Sequence, residues 1–333
     1  MTRKSDVRPL RIGIDARCLN VPHIRGMGKY VLRMLEHMPE TPAVEWHLFG
    51  DRPELPLVSP ERGGRFVTDR FNVPGYRFHA WEQVGLPVKG LTRGLSLFHA
   101  TATTLPALQT IPTVVTIHDT IPWDEEMTGY DRWYWSRLLP SALRRSRAVI
   151  TISESSRNDI VRLWPDVGPR VHVIPHGVQD IYLTPGVPRR PQPLAAALSD
   201  RPYLLYIGGS QPRKRFDWAV DVLRAQPHGS LLLAAMGFTP AQAAEAAGGL
   251  PTEVKDRVVF LPFIDETDMP DVYQNKLDLL DETQRADLVA ALVREFPEAK
   301  IFEVSAREGT GCEAWFEAVL AAEMNTGRFL EID

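Results

Sequence analysis

Residues 203–214 read YLLYIGGSQPRK, and this stretch decides the fold. Its apolar start predicts a buried strand from Tyr203 to Ile207, and the glycine pair after it predicts a turn. A helix is expected next, because apolar residues recur at i, i+3, i+4 and i+7: Phe216, Ala219, Val220 and Leu223. A strand that turns into a helix in this way is the repeating unit of a parallel α/β sheet.

Short apolar runs of the same kind recur along the chain and predict further buried strands. The predicted strands are residues 12–14, 114–117, 148–152, 171–174, 203–207, 231–235 and 258–261. Helical patterns lie between them, as in Val31, Met34, Leu35 and Met38. This alternation predicts the α/β class, with two Rossmann-like domains.

Composition changes near residue 275. Of the 28 prolines only Pro297 lies beyond that point, and residues 275–333 hold 6 Lys+Arg against 13 Asp+Glu, a net charge of −7. The whole chain carries −4, so residues 1–274 carry +3. Together with a proline-rich stretch, these changes predict an N-terminal domain over 1–183, a linker over 184–201, a second domain over 202–274 and a separate tail over 275–333.

Several classes of protein are excluded by composition. No run approaches about 18 apolar residues, so no membrane span is predicted, and the polar start lacks the hydrophobic region of a signal peptide, so a cytoplasmic protein is expected. Cys18 and Cys312 are too few for a disulfide framework or a cysteine metal site, and both are interpreted as apolar fillers. The mildly basic first part suits nucleotide diphosphates or lipid phosphates and falls short of a nucleic-acid surface.

Two glycine turns are candidate anion sites, because a turn into a helix aims backbone N–H groups at a ligand. The first contains Gly26 and Gly28, and a purely structural turn is an equal alternative there. The second contains Gly209 and is followed by Arg213 and Lys214. Cations beside a helix start oppose the helix dipole, which favours a diphosphate-binding role over a solvated helix end.

His118 follows a predicted strand, at the sheet edge where open α/β proteins place ligands. A structural hydrogen-bonding role is the alternative for this histidine. Asp119, Glu154 and His99 are candidates for the same crevice. An aromatic cluster nearby is interpreted either as an acceptor-binding or membrane-facing patch or, as is more common, as core: Trp123, Tyr130, Trp133, Tyr134 and Trp135.

Residues 11–274 resemble glycosyltransferase family 4, and in particular its bacterial mannosyl- and rhamnosyltransferases. The resemblance rests on ordered segments that include Trp81-Glu82-Gln83, 97–100 (LFHA) and 149–157 (VITISESSR). It implies a GT-B fold and metal-independent, retaining transfer of a hexose, mannose-like, from a GDP- or UDP-linked sugar to a saccharide or lipid-linked acceptor. Peripheral contact with a membrane is a further expectation.

The same resemblance assigns roles to residues. Gly26 and Gly28 would lie near the donor phosphates and acceptor, and His118 would contact the transferred sugar. Gly209, Arg213 and Lys214 would bind the diphosphate. His176 departs from the family pattern, which has Asn at this position of the 174–178 segment (IPHGV).

A larger departure follows Tyr273, where the family's glutamate pair around a Gly-Phe-Gly turn is absent. Residues 275–333 instead resemble the carboxyl half of a P-loop GTPase of the metal-chaperone and cobalamin-synthesis branch. The motif residues are Asn275, Lys276, Asp278, Ser305 and Ala306. No Gly-x-x-x-x-Gly-Lys-Ser/Thr occurs, so nothing would cradle the GTP phosphates.

The sequence therefore predicts a glycosyltransferase whose donor domain is truncated and whose activity is impaired. It also predicts that the tail completes the second sheet, with a strand over 301–304, and that Glu303, Glu308 and Glu313 do not replace the missing pair. Two alternatives remain at this stage. One is a chimera that only binds nucleotide or acceptor; the other, disfavoured, is a GTP-binding metal chaperone.

Overall fold

A computed structural model of the chain describes residues 9–19, 24, 26–38, 43–50, 66–70, 80–121, 129–177, 197–198, 201, 203–225 and 231–269, with 272, 283, 286, 290 and 294 as single positions. The chain divides into two compact units, Met1–Gly177 and Val178–Asp333.

The first unit contains a parallel sheet in the order β3-β2-β1-β4-β5-β6-β7. Its strands are β1 Leu10–Asp15, β2 Val44–Gly50, β3 Phe66–Arg70, β4 Leu97–Ala100, β5 Thr113–Ile117, β6 Ala148–Thr151 and β7 Val171–Val173. Because all the pairings are parallel, the carboxyl ends of these strands meet at one edge of the sheet.

Helices connect these strands. They are α1 Gly26–Glu36, α2 Leu86–Arg93, α3 Gly129–Trp133, α4 Leu139–Leu143 and α5 Glu154–Leu163. One wide π-type turn, Trp81–Gly85, leads into α2, and another, Tyr134–Leu138, joins α3 to α4. α5 begins after Ser153, whose side chain accepts a hydrogen bond from the backbone N–H of Ser156 and so caps the helix.

Both faces of the first sheet are covered. Leu48 and Phe49 are consecutive in β2 and both buried, yet they belong to different apolar clusters. Neighbouring side chains of a strand point to opposite faces, so a core lies on each side of the sheet. α1 closes one of them with Val31 and Leu35, as its predicted pattern requires.

The second unit contains a parallel sheet in the order β10-β9-β8, formed by β8 Tyr203–Ile207, β9 Leu232–Met236 and β10 Val258–Phe260. Its helices are α6 Phe216–Arg224 and α7 Pro240–Gly248. The central strand β9 is buried throughout, and its residues alternate between two apolar clusters. This is the continuous apolar pattern of a strand covered on both faces.

All seven strands predicted from apolar runs are present to within two residues at each end. Three others, β2, β3 and β4, were not predicted as strands. The boundary between the units lies six residues before the predicted one at 183/184. Leu198, in the predicted linker, is helical and is buried in the second core, so the linker's end is packed and not extended at that residue. The predicted strand 301–304 lies outside the described residues.

Candidate functional site

The carboxyl edge of the first sheet gathers polar residues from three adjacent strands. Asp15 ends β1, Thr101 follows β4 and His118 follows β5. All three are buried, with at most 8% of each exposed. Thr101 connects the strands directly, because its hydroxyl donates to the Asp15 carbonyl (2.6 Å) and its own carbonyl accepts from His118 Nε2 (2.9 Å).

Three aromatic rings meet at this edge. The His118 ring lies edge-on to Tyr30 in α1, with centroids 5.0 Å apart, and the exposed His176 ring stacks on Tyr30 at 5.1 Å. His118 and His176 are 5.7 Å apart. The fold thus brings His118 to the helix that begins at Gly26, and places His176, noted above only for its departure from the family pattern, in the same cluster.

Hydrogen bonding selects one tautomer of the neutral His118 ring. A carbonyl oxygen can only accept, so Nε2 carries the proton toward Thr101 and Nδ1 is the acceptor nitrogen. Burial lowers the pKa of His118, although the Thr101 carbonyl and the Asp119 carboxylate oppose part of this effect. The ring is therefore neutral at physiological pH.

His99 lies next to this site and is partly buried. Its Nε2 is 2.8 Å from the Thr116 hydroxyl, which is in turn 3.1 Å from the Tyr30 hydroxyl. Burial, with a smaller contribution from His118, lowers the pKa of His99 to about 4. The structure therefore places His99 behind the Tyr30 ring as a neutral hydrogen-bonding group.

The two glycines at the start of α1 differ in their surroundings. A Cβ on Gly28 would lie 2.7 Å from Ile24 Cγ2 and 2.8 Å from the Cys18 carbonyl oxygen, whereas a Cβ on Gly26 would meet nothing within 4 Å. Packing therefore requires glycine at position 28. At position 26 no atom of the described residues requires it, which leaves room in that part of the structure for a ligand close to the exposed backbone.

In the second unit, β8 enters a tight glycine turn. Gly209 has a φ of 68°, and a Cβ there would lie 2.6 Å from the Gly237 carbonyl oxygen. Gly237 has a φ of 91° and follows β9. The ends of two adjacent strands thus pack backbone to backbone, and the Tyr206 hydroxyl holds the turn by donating to the Gly209 carbonyl (2.9 Å).

Three cationic side chains follow this turn, and their surroundings differ. Arg215 forms a two-bond contact with Asp217 and covers the Trp218 ring at 3.6 Å. The side chains of Arg213 and Lys214, in a short 3-10 helix, have no ion pair within the described part of the chain. Arg213 is exposed and Lys214 partly so.

The other candidate side chains lie mainly outside the His118 cluster. Glu154 is exposed on α5 and pairs with Arg157 (3.2 Å), and Asp119 is exposed and accepts from the Ile121 N–H (3.2 Å). Both make local contacts at helix or turn starts. Burial raises the pKa of the Cys18 thiol to about 12, as suits an apolar filler.

The predicted aromatic patch divides into two parts. Tyr130 and Trp133 are 41% and 52% exposed, with ring centroids 5.6 Å apart, and remain accessible. Tyr134 is buried and Trp135 packs against the same core, so for these two the alternative of a core position is confirmed. The buried Tyr134 hydroxyl is satisfied by donating to Glu82 Oε1 (2.6 Å). Trp123 and Cys312 lie outside the described residues.

The guanine-motif remnant also lies outside them: Asn275, Lys276, Asp278, Ser305 and Ala306. Within the described ranges, no three His, Cys, Asp or Glu side chains are grouped in a way that could hold a metal ion. In the same ranges, no helix is long and apolar enough to cross a membrane.

Sequence reasoning did not identify the buried charges behind the site. Arg17 is paired with Asp15 (3.0 Å) and Glu82 (2.8 Å), and all three are almost completely buried. Glu82 was noted only as part of an ordered segment. The sequence signal was a charged residue, Arg17, just after an apolar strand. The sequence does not indicate its partner, because Glu82 lies 65 positions away.

The first unit matches a known protein family. Residues 24–180, slightly less than half of the chain, match the family model for Glycosyltransferase Family 4. The matched segment contains α1, His118 and His176. It supports a glycosyltransferase family 4 domain in the first unit.

Curated relatives match over a shorter stretch. The alpha-maltose-1-phosphate synthase of Mycobacterium tuberculosis is 32% identical over 108 residues, 30% of this chain and 28% of the relative. The protein of the same name from Mycolicibacterium smegmatis is 30% identical over 105 residues, 29% of this chain and 27% of the relative. The matched stretch thus spans little more than a quarter of the length of these relatives.

Solved structures show the fold. Anabaena HepE in complex with UDP and glucose superposes with a TM-score of 0.55 at 16% identity, over 79% of this chain and 71% of that one. A trehalose-6-phosphate structure from E. coli, bound with UDP-2-fluoro glucose, gives 0.53 at 12% identity, over 80% and 76%. The chain has an α/β, GT-B-like fold with parallel sheets.

Proposed function

We propose that this chain is a retaining glycosyltransferase that takes a hexose from a UDP- or GDP-linked sugar. The acceptor is a saccharide or a lipid-linked saccharide. The observation that carries the proposal is the carboxyl edge of the first sheet, where His118 meets Tyr30 of α1, the helix that begins at Gly26. The match to Glycosyltransferase Family 4 over residues 24–180 supports it.

His118 contacts the transferred sugar in this proposal. Its neutral ring, with Nε2 held by Thr101, offers Nδ1 as an acceptor for a hydroxyl group. The exposed backbone at Gly26 provides N–H groups at a helix start, which favour a negatively charged ligand. No metal or other cofactor takes part.

The diphosphate binds at the glycine turn of the second unit. Gly209 allows the turn, and Arg213 and Lys214 supply charge that no carboxylate in the described residues neutralises. Such charge stabilises a diphosphate leaving group as it develops. We expect slow turnover, because the sequence after Tyr273 lacks the glutamate pair that holds the donor in the family it resembles.

A transfer assay tests the proposal. The chain is incubated with UDP-glucose or GDP-mannose and a panel of saccharide acceptors. The products are identified by mass spectrometry, and their anomeric configuration is read by ¹H NMR. We expect a glycosylated product with retained configuration, formed about 100-fold more slowly by His118→Ala, the effect of losing one transition-state contact.

His172→Ala is the matched control, since His172 is exposed on β7 and makes no side-chain hydrogen bond in the described part of the chain. Binding of UDP or GDP without any product would favour a protein that only binds nucleotide. A product formed equally well by His118→Ala would refute the role of His118.

A further inference from the structure

A buried ion cluster lies behind the His118 site. The Arg17 guanidinium contacts Asp15 Oδ2 at 3.0 Å and Glu82 Oε2 at 2.8 Å, and lies 5.0 Å from the Trp81 ring centroid. Burial alone lowers the pKa of Arg17, but the two carboxylates outweigh it, and the pKa rises above its usual value. Arg17 is therefore charged in the interior.

Buried charges of this kind are costly, and apolar residues of similar volume often stabilise a protein equally well or better. Stability alone therefore does not explain the cluster. Several of its contacts are made to the segment that follows β4.

That segment is attached to the cluster at successive residues. The Thr104 hydroxyl bonds both Glu82 Oε2 and Arg17 Nη2. The Tyr134 hydroxyl donates to Glu82 Oε1 (2.6 Å) and accepts from the Leu105 N–H (3.1 Å). Glu82 thus holds both Thr104 and Leu105, one directly and one through Tyr134.

The same segment holds His118. The Thr101 carbonyl accepts from His118 Nε2 (2.9 Å), and the Thr103 hydroxyl accepts from the His118 backbone N–H (3.4 Å). The Thr103 N–H donates to the Thr116 carbonyl (3.1 Å), which ties the segment to β5 just before His118. Ring and backbone of His118 are therefore both set by residues 101–104.

Thr103 is strained. Its φ is 61°, in the left-handed region that a β-branched residue rarely enters. Such a conformation persists only where the surroundings enforce it. Anchors at Thr101 and Thr104, on either side of Thr103, provide that enforcement.

We propose that Arg17 and Glu82 are positioning residues for His118. Through Thr104 they hold residues 101–104 in the strained conformation that presents the Thr101 carbonyl to Nε2, and so they keep His118 in the tautomer whose Nδ1 accepts. This inference rests on the proposed function, in which that neutral ring contacts the sugar.

The test reads the tautomer directly. When the protein is labelled with ¹⁵N-histidine, long-range ¹H–¹⁵N spectra distinguish a protonated from an unprotonated ring nitrogen. The His118 signals are identified as those that disappear in His118→Gln. At pH 7.5 we expect protonated Nε2 and unprotonated Nδ1 in the parent chain. Thr104→Val, which removes the hydroxyl, should move both ¹⁵N shifts toward averaged values, and Thr104→Ser should restore them.

Glu82→Gln is the second variant, used if Thr104→Val does not fold, because it keeps the volume and removes the charge that pairs with Arg17. Thr92→Val, an exposed position on α2, is the control that should leave the spectrum unchanged. An unchanged His118 tautomer in folded Thr104→Val or Glu82→Gln overturns the proposal, whatever the transfer assay shows.

Kinetics separate this inference from the proposed function. If both hold, Thr104→Val lowers kcat by about tenfold while the KM for the nucleotide sugar is unchanged. A shifted tautomer in a chain that transfers no sugar supports the positioning and refutes the function. Sugar transfer by a chain whose His118 tautomer is unchanged in the variants supports the function and refutes the positioning.

Discussion

The imidazole of His118 lies edge-on to the phenol ring of Tyr30, with centroids 5.0 Å apart and planes at 83°. This contact joins the end of β5 to α1, two elements about ninety positions apart in the sequence. Any reaction that uses His118 should therefore also depend on the position of α1 and on the residues that hydrogen-bond to the Tyr30 hydroxyl.

Stability should depend on pH through His99. Its folded pKa of about 4 is below the usual 6.5, so the unfolded chain binds more protons between these values. The contribution of His99 to the free energy of unfolding is therefore complete above pH 6.5. It is lost as pH falls toward 4, by about 3 kcal/mol in total. Chemical denaturation from pH 7.5 to pH 4 should show a shallower decline in His99→Gln than in the parent chain; equal slopes would contradict the burial of a neutral His99.

The two glycines of α1 should respond differently to alanine. Gly28→Ala should lower the free energy of unfolding by about 1–3 kcal/mol, because its Cβ overlaps the Cys18 carbonyl and Ile24. Gly26→Ala should change it by no more than about 0.5 kcal/mol, since its Cβ meets open space. If a ligand approaches this backbone, Gly26→Ala should still reduce sugar transfer; transfer at the parent rate would exclude that approach.

Tyr134→Phe should destabilise the chain by about 1–3 kcal/mol, the cost of leaving buried polar groups unsatisfied. The missing hydroxyl serves both Glu82 and the Leu105 N–H. Tyr130→Phe, at a position 41% exposed, is the control and should have little effect. Thermal unfolding of the two variants makes the comparison. Equal melting temperatures would show that the Glu82 network does not need Tyr134.

Local patterns in the sequence predicted the strands with continuous apolar runs. β9 is such a strand, because both of its faces are covered. β2 was not predicted, since its segment VEWHLFG mixes polar and apolar residues and only its last four positions are buried. Local patterns cannot show which polar residues a neighbouring helix will cover.

The site was predictable in part for the same reason. His118 and the glycine turn stand at strand ends, and a strand end can be recognised from the local sequence. The Arg17–Glu82 pair depends on a contact across 65 positions, which only the order of strands in the sheet creates. Tyr134 was grouped with its aromatic neighbours, and its hydrogen bond to Glu82 is what separates it from the exposed Tyr130.

The affinity for nucleoside diphosphates tests the central claim most directly. Calorimetry with UDP and GDP, and with UMP and GMP for comparison, should show tighter binding of a diphosphate by the parent chain. Lys214→Ala should weaken that binding by about 1–3 kcal/mol, roughly 5- to 150-fold, as expected for a lost charge-assisted bond. Lys255→Ala is the control, because it removes an exposed lysine from another 3-10 helix of the same unit. This variant should bind the diphosphate as tightly as the parent chain. Absence of diphosphate binding, or equal weakening by the two variants, would contradict the account.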